Sequence, residues 1–383
     1  MNFEFAAPTR IIFGEGRLSE AAGLVSSMGS RALVVEGRSG RADRLVRLLH
    51  AQGIATTTFR VPSEPTVSLV EQGAALAKAD HCDCVLALGG GSVIDAGKAI
   101  AVLLTNDAPI RDYLEVIGNG RPLTNRPAPF IAIPTTAGTG AEVTRNAVLM
   151  AEEEQVKVSL RSALMVPAVA LIDPELTYSL PPDVTASTGL DALTQCIEPF
   201  VSPNATPLSD AVAREGIRRA AGALTRAFRD GTDVEARRDM AIVSVCGGLA
   251  LANAKLGAVH GFASPLGGMF PIPHGVACAR LLPSVAQANV RALRSRAPSS
   301  PALTRYAEVA AIVTGRDGAR AEELVEWIER LVDELRVPKL SVYGVRDSDV
   351  ARLVASARQA SSMQGNPIVL TDDELAESLR AAI

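Results

Sequence analysis

A change of rhythm near residue 179 constrains this chain more than any other feature. Ahead of it, short apolar runs closed by Gly or Pro alternate with stretches of helical spacing. Strand-like runs cover Arg31 to Gly37, Thr56 to Val61, Cys84 to Gly89, Pro129 to Thr135 and Ala168 to Pro174. Helical spacing covers Arg41 to Gly53, Val67 to Ala79 and Val93 to Leu104. Such alternation predicts a parallel sheet with helices on both faces. Beyond the Pro pair of SLPPDVTAS the chain turns Ala- and Leu-rich, and strand signals nearly vanish. Helical periodicity then recurs over Gly189 to Phe200, Pro207 to Arg229, Glu235 to Gly257, Val276 to Val290, Pro301 to Val313 and Arg320 to Glu334. The expected architecture is an α/β doubly wound parallel-sheet domain over residues 1–178 and an all-α domain over 179–383. Ligands of such sheets lie beyond the carboxyl ends of the strands, so a cleft between the domains is the expected site.

The composition agrees with two cores. The chain has 383 residues, 48% of them hydrophobic, which is enough apolar material for two domains. A net charge of −4 without a basic run argues against nucleic acid or an anionic membrane as partner. MNFEFAAPTRIIFGEG has an early acid and no apolar core, so no secretory leader is expected. No uncharged apolar run approaches the roughly 18 residues that span a bilayer. Five cysteines, an odd and sparse set, suit reduced thiols in a cytoplasmic protein. Cys82 and Cys84, two apart on a strand, read as packing.

LALGGGSVIDAGKAI, Leu86 to Ile100, is the sharpest motif of the first domain. A buried strand ends in Gly89, Gly90, Gly91 and Ser92, and a helix begins at once. Glycines let the backbone approach a ligand, and the exposed N–H groups with the helix dipole favour phosphate. A second polar loop, Pro134 to Thr144, offers the hydroxyls of Thr135, Thr136 and Thr139 to phosphate, ribose or base. Two such loops on one sheet suit a dinucleotide, NAD or NADP, although G-x-G-x-x-G is absent after the first strand. Glu36 can grip a ribose 2′-hydroxyl. Gly37, Arg38, Ser39 and Arg41, which follow it, can instead accept a 2′-phosphate, so both cofactors stay open.

VHGFASPLGGMFPIPHG, Val259 to Gly275, holds two of the only four histidines, His260 and His274. Earlier, GLDALTQCIEP places Asp191 and Gln195 at i and i+4, on one helix face. His260 is expected at or just past the end of the helix that starts near Glu235. His274, after Pro271 and Pro273, is expected to open the next helix. Two facing helices and an intervening loop can bring Asp191, His260 and His274 to a point. One carboxylate and two imidazoles suit Fe(II), Zn(II) or a similar divalent ion. Spacing by itself fits ordinary core histidines equally well. Phe262, Met269 and Phe270 read as an apolar substrate wall or as core.

Taken in order, LALGGGSVIDAGKAIA, PTTAGTGAEVT, KVSLRSALMVPAVALIDPELT, STGLDALT and VHGFASPLGGMFPIPHG resemble the iron-containing (group III) alcohol dehydrogenase family. The resemblance spans about residues 10 to 290. It implies a dehydroquinate synthase-like architecture, a homodimer, and hydride transfer between NAD(P)H and a small alcohol or carbonyl substrate polarised by a metal. It implies that Gly89 to Ser92 bind pyrophosphate, that Asp95, Thr135, Thr136 and Thr139 complete the cofactor site, and that Lys157 lies near the ribose or nicotinamide. Asp191, His260 and His274 match three of the family's four metal ligands. Two positions depart from the pattern. Gln195 stands where the family has a histidine, and a neutral amide oxygen is a weak donor to Fe(II) or Zn(II). Ser264 stands where the family often has a second histidine; a hydroxyl passes a proton along but does not hold one near neutral pH.

Three other readings stand beside this one. A metal-free enzyme like maleylacetate reductase would use cleft arginines, and would leave Asp191 costly beside an anionic substrate. A 3-dehydroquinate synthase needs Lys and Arg in the metal-site stretches, which have none. A nucleotide-binding remnant would keep the first domain's loops and turn nothing over.

Overall fold

The computed structural model describes residues 2–38, 40–154 and 156–383. The chain divides into two units: Ala6–Thr136 with Gly140–Tyr178, and Ser179–Ile383 with Ala137–Thr139 and the first few residues.

The first unit is built on a six-stranded sheet, all parallel, in the order β1-β8-β5-β4-β2-β3. The strands are β1 Arg10–Phe13, β2 Arg31–Glu36, β3 Ala55–Arg60, β4 Cys84–Gly89, β5 Phe130–Pro134 and β8 Val169–Ile172. Between the last two, β6 Asn146–Ala151 and β7 Val156–Arg161 pair as a separate antiparallel hairpin, absent from the expected elements although VKVSLR alternates apolar and polar. Helices α1 Ala21–Ser26, α2 Asp43–Ala51, α3 Val67–Ala79, α4 Gly91–Leu103 and the single turn α5 Ile110–Tyr113 complete the unit. β4 is central and buried at every position, which is why CVLAL is continuously apolar. β3 lies at the edge, and its ATTTFR alternates between half-buried and exposed. The strand order reverses direction between β2 and β4, so their carboxyl ends flank the topological switch point where such sheets bind nucleotides.

Lys98 is among the charged residues buried in this core, at 1% exposure. Its Nζ donates to the carbonyl of Asn146 (2.5 Å) and to Oγ1 and the carbonyl of Thr144 (3.0 and 3.3 Å), with Asp95 Oδ1 at 3.7 Å. One buried ammonium thus ties α4, and the glycine loop that starts it, to the hairpin.

The second unit is all helix: α6 Pro182–Val201, α7 Pro207–Arg229, α8 Val234–Ala254, α9 Ala258–Met269, α10 His274–Arg296, α11 Pro301–Thr314, α12 Ala321–Glu334, α13 Val350–Gln359 and α14 Asp372–Ala382. Among the described residues it contains no strand, and no single helix is long and apolar enough to cross a membrane. One expectation needs correcting: α6 starts at Pro182 rather than near Gly189, because proline is well placed in a helix's first turn. His260 lies past the end of the helix that begins near Glu235, on a helix of its own. The earlier helix stops at Ala254, Lys255 takes φ +64°, and α9 departs at 101° with His260 in its first turn. Phe262, fully buried on α9, belongs to the core rather than to a substrate wall.

Lys98→Met keeps the packing and leaves Asp95 without its cation. It is expected to destabilise the protein by about 2–4 kcal/mol, read as a lower midpoint in urea unfolding. The double variant Lys98→Met/Asp95→Asn is expected to recover part of that loss.

Candidate functional site

Asp191 and Glu198 stand seven residues apart on α6, two turns along one face. Both are buried, at 1% and 5% exposure. The His260 ring is held between them: Nδ1 lies 2.7 Å from Glu198 Oε2, and Nε2 lies 3.2 Å from Asp191 Oδ1. Glu198 Oε1 also accepts the Val259 backbone N–H at 2.7 Å, which pins the first turn of α9. His274, the first residue of α10, brings Nε2 to 3.8 Å from Asp191 Oδ1. Its approach depends on the next residue. A Cβ on Gly275 would meet the Ser187 carbonyl oxygen at 2.5 Å, so only glycine lets α10 start this close to α6. One turn into α10, Cys278 Sγ lies 3.6 Å from His274 Nε2.

Asp191, His260, His274 and Cys278 therefore offer four donor atoms that all lie within 4.8 Å of one another. Bond lengths of tetrahedral zinc imply separations of about 3.3 Å between N or O donors and about 3.5 Å between N and S. The observed 3.2, 3.8 and 3.6 Å match that frame, so the residues present fit a divalent ion. The electrostatics agree. Burial works against charge on Asp191, but His274, His260 and Cys278 hold its carboxyl below the usual range. Burial also opposes an imidazolium at His260, yet Cys278, Asp191 and Glu198 outweigh it and raise its pKa well above normal. Burial pushes the Cys278 thiol up to about 12.

Gln195 lies between the two carboxylates on α6 and is 2% exposed. Its Oε1 is buried without a hydrogen-bond partner and packs against α8, about where a Cβ on Gly247 would come within 3.3 Å. Ser264 is half-buried, one turn beyond His260 on α9.

The other expected residues, Thr139 apart, lie in the first unit. Gly89 ends β4, and Gly90 caps α4 with no side-chain bond to the helix's first N–H groups. A Cβ on Gly90 would sit 3.4 Å from Thr136, and the Thr135 N–H donates to the Gly89 carbonyl at 2.9 Å. The glycine loop with Ser92 thus lies beside the threonine loop that carries Thr139. At the end of β2, Glu36 is buried, with Oε1 accepting from Arg60 Nη2 (3.2 Å) and Oε2 from the Ala42 N–H (3.3 Å). Gly37 and exposed Arg38 follow; Ser39 lies outside the described residues. Asp95 accepts from the Val148 N–H at 3.0 Å, and Lys157 is paired with Glu64 at 2.6 Å. Both have protein partners that the resemblance did not imply. Cys82 and Cys84 are free thiols, with Cys84 buried in the sheet.

Two residues of the cluster around His260 are absent from the expected set. Glu198 repeats the Asp191 face two turns on, and Cys278 repeats the i, i+4 spacing after His274; both signals were in the chain.

Sequence models of the family described as "Iron-containing alcohol dehydrogenase" match residues 8–174, and of its C-terminal part residues 185–383. The chain belongs to the iron-containing alcohol dehydrogenase family. A curated relative, alcohol dehydrogenase 4 of Schizosaccharomyces pombe, is 38% identical over 386 residues, covering 99% of this chain and 89% of the relative. The crystal structure of a 1,3-propanediol oxidoreductase superposes with TM-score 0.93 at 32% identity, covering 100% of both chains. Sulfoacetaldehyde reductase from Bifidobacterium kashiwanohense, solved with NAD+, gives TM-score 0.88 at 33% identity, covering 100% of this chain and 99% of that one. As a member of the family, the protein is an oxidoreductase that interconverts alcohols with aldehydes or ketones using NAD(P) and a divalent metal. The metal-free, maleylacetate reductase-like alternative is not favoured by four converging donors.

Glu198→Gln keeps the shape but removes the charge behind His260. It is expected to weaken metal binding by about 10–100-fold, measured by competition with a chelator.

Proposed function

We propose that Asp191, His260 and His274 hold the divalent ion of an alcohol dehydrogenase, and that the loops after β2, β4 and β5 hold NADP(H). One observation carries the first part: three helices converge two imidazoles on a single buried carboxylate, at 3.2 and 3.8 Å. The ion supplies Lewis acidity at the substrate oxygen, and the nicotinamide gives or takes the hydride. This chain's residues do the rest. Glu198 Oε2 accepts a hydrogen bond from His260 Nδ1–H, which would leave Nε2 to face a bound ion. Asp191 supplies a full negative charge where water is excluded, and there it counts most. Ser264 passes a proton between the substrate oxygen and solvent without storing it. In the first unit, Gly89 to Ser92 and the free N–H groups of α4 receive the pyrophosphate, with Thr135, Thr136 and Thr139 alongside. Asp95 and Lys157 act there through the segments they brace. The substrate is a small alcohol or carbonyl compound, and the working form is a cytoplasmic homodimer, in line with the family resemblance and the free thiols.

Dialysis against a strong chelator is expected to abolish turnover while NADPH binding persists. Asp191→Ala and His274→Ala are expected to lose the metal and about 10³-fold or more in kcat/KM. Undiminished turnover by metal-stripped protein would overturn the reading.

The preference for NADP(H) rests on Glu36. Both its oxygens are engaged by Arg60 and the Ala42 N–H, and exposed Arg38 follows a glycine. Arg38→Ala is expected to raise KM for NADPH about tenfold and leave KM for NADH unchanged. Steady-state kinetics with the two cofactors checks this.

A further inference from the structure

We propose that Cys278, not Gln195, is the fourth protein donor to the metal, and that the resulting Asp-His-His-Cys set favours Zn(II) over Fe(II). The inference rests on the metal reading above and deepens it.

Gln195 stands at the position where the family resemblance leads one to expect a histidine. Its amide oxygen is neutral and buried without a hydrogen-bond partner, on the side of α8 where a Cβ on Gly247 would lie 3.3 Å from it. Cys278 comes from another element altogether. It lies four residues after His274, so α10 presents the imidazole and the sulfur on one face. Sγ lies 3.6 Å from His274 Nε2 and within 4.8 Å of the donor atoms of Asp191 and His260. A nitrogen and a sulfur bound to one tetrahedral zinc are separated by about 3.5 Å. No other thiol is so placed among the described residues. Cys84 lies in the sheet against the Arg31 carbonyl, and Cys196 Sγ is 3.9 Å from the Val243 carbonyl. Cys82 is half-buried beside the sheet, and Cys246 sits on α8 against Gly216.

The chemistry follows from the donor. Coordination forms a sulfur–metal bond and releases the thiol proton to solvent. Thiolate is soft and anionic; it strengthens zinc binding more than binding of the harder Fe(II), which already ranks below zinc for mixed donor sets. The lost histidine is thus replaced by a ligand from α10, and the count of four protein donors is kept.

The test uses the full-length protein stripped of metal and titrated anaerobically with Co(II). One equivalent is expected to bind and to show an intense near-ultraviolet sulfur-to-cobalt charge-transfer band. Cys278→Ser is expected to abolish that band, and Gln195→Ala to leave it intact. X-ray absorption at the zinc edge of the wild-type protein is expected to show one sulfur at about 2.3 Å, a readout that needs no variant. In competition, zinc is expected to displace Fe(II) from the wild type, with a smaller margin in Cys278→Ser. One equivalent of cobalt without the band, an edge spectrum of N and O only, or a band that survives in Cys278→Ser would each overturn the inference and leave the metal reading standing. Failure to bind any metal would overturn both.

Discussion

Two carboxylates buried on one face of a helix govern the second half of this protein. Asp191 and Glu198 lie two turns apart on α6, both nearly inaccessible to water. An isolated carboxylate in such a place is too costly to persist, so each must be paired. His260 pairs with both, one ring nitrogen to each. That requirement dictates the surrounding architecture. α6 must run unbroken from Pro182 past Glu198. α8 must stop so that α9 can turn away at 101° and aim His260 at the pair. α10 must begin against α6, which the missing Cβ of Gly275 permits, so that His274 reaches the same oxygen. The helices pack around one apolar core, and the buried charges set the register within it.

A comparable constraint operates in the α/β unit at smaller scale. Lys98 is the one ammonium in a sheet-and-helix core, and it satisfies itself on the backbone of the segment leading into β6. α4 is held in place by that bond as well as by its apolar face. Since α4 starts with the glycine loop, the same anchor sets where the free N–H groups point. Asp95 supports the arrangement from the Val148 N–H, and Lys157 is tied to Glu64. Residues that resemble cofactor contacts in a sequence therefore also carry the framework that positions the loop.

The candidate metal centre departs at two positions from the pattern the sequence resembles. Glutamine stands one turn after Asp191, and serine one turn after His260, where the resemblance implies histidines. The first change removes an imidazole, and a sulfur from a different helix stands within reach of the remaining donors. The second removes a group that can hold a proton and keeps one that can pass it on. Coordination depends on which atoms meet and on their softness, and not on which helix supplies them.

Much of this was legible before any coordinates. α3 over Val67–Ala79 and α7 over Pro207–Arg229 coincide with their periodic segments, because each buries a face whose period is set by its own backbone geometry, and β4 over Cys84–Gly89 coincides with a continuous apolar run because it is buried throughout. Asp191, His260 and His274 could be singled out by residue type and order. The β6–β7 hairpin is harder to place: VKVSLR alternates apolar and polar residues, but its strands pair with each other rather than with the main sheet. The turn at Lys255, where a residue other than glycine takes a left-handed conformation imposed by packing, was not legible. Glu198 and Cys278 were visible as letters at helical spacing, with nothing to mark them. Local sequence determines helix faces, strand periods and turn chemistry, because those depend on neighbours along the chain. Which carboxylate clamps His260, and which sulfur stands beside His274, depends on three helices meeting at one point, and that is decided only by the packing of the folded core.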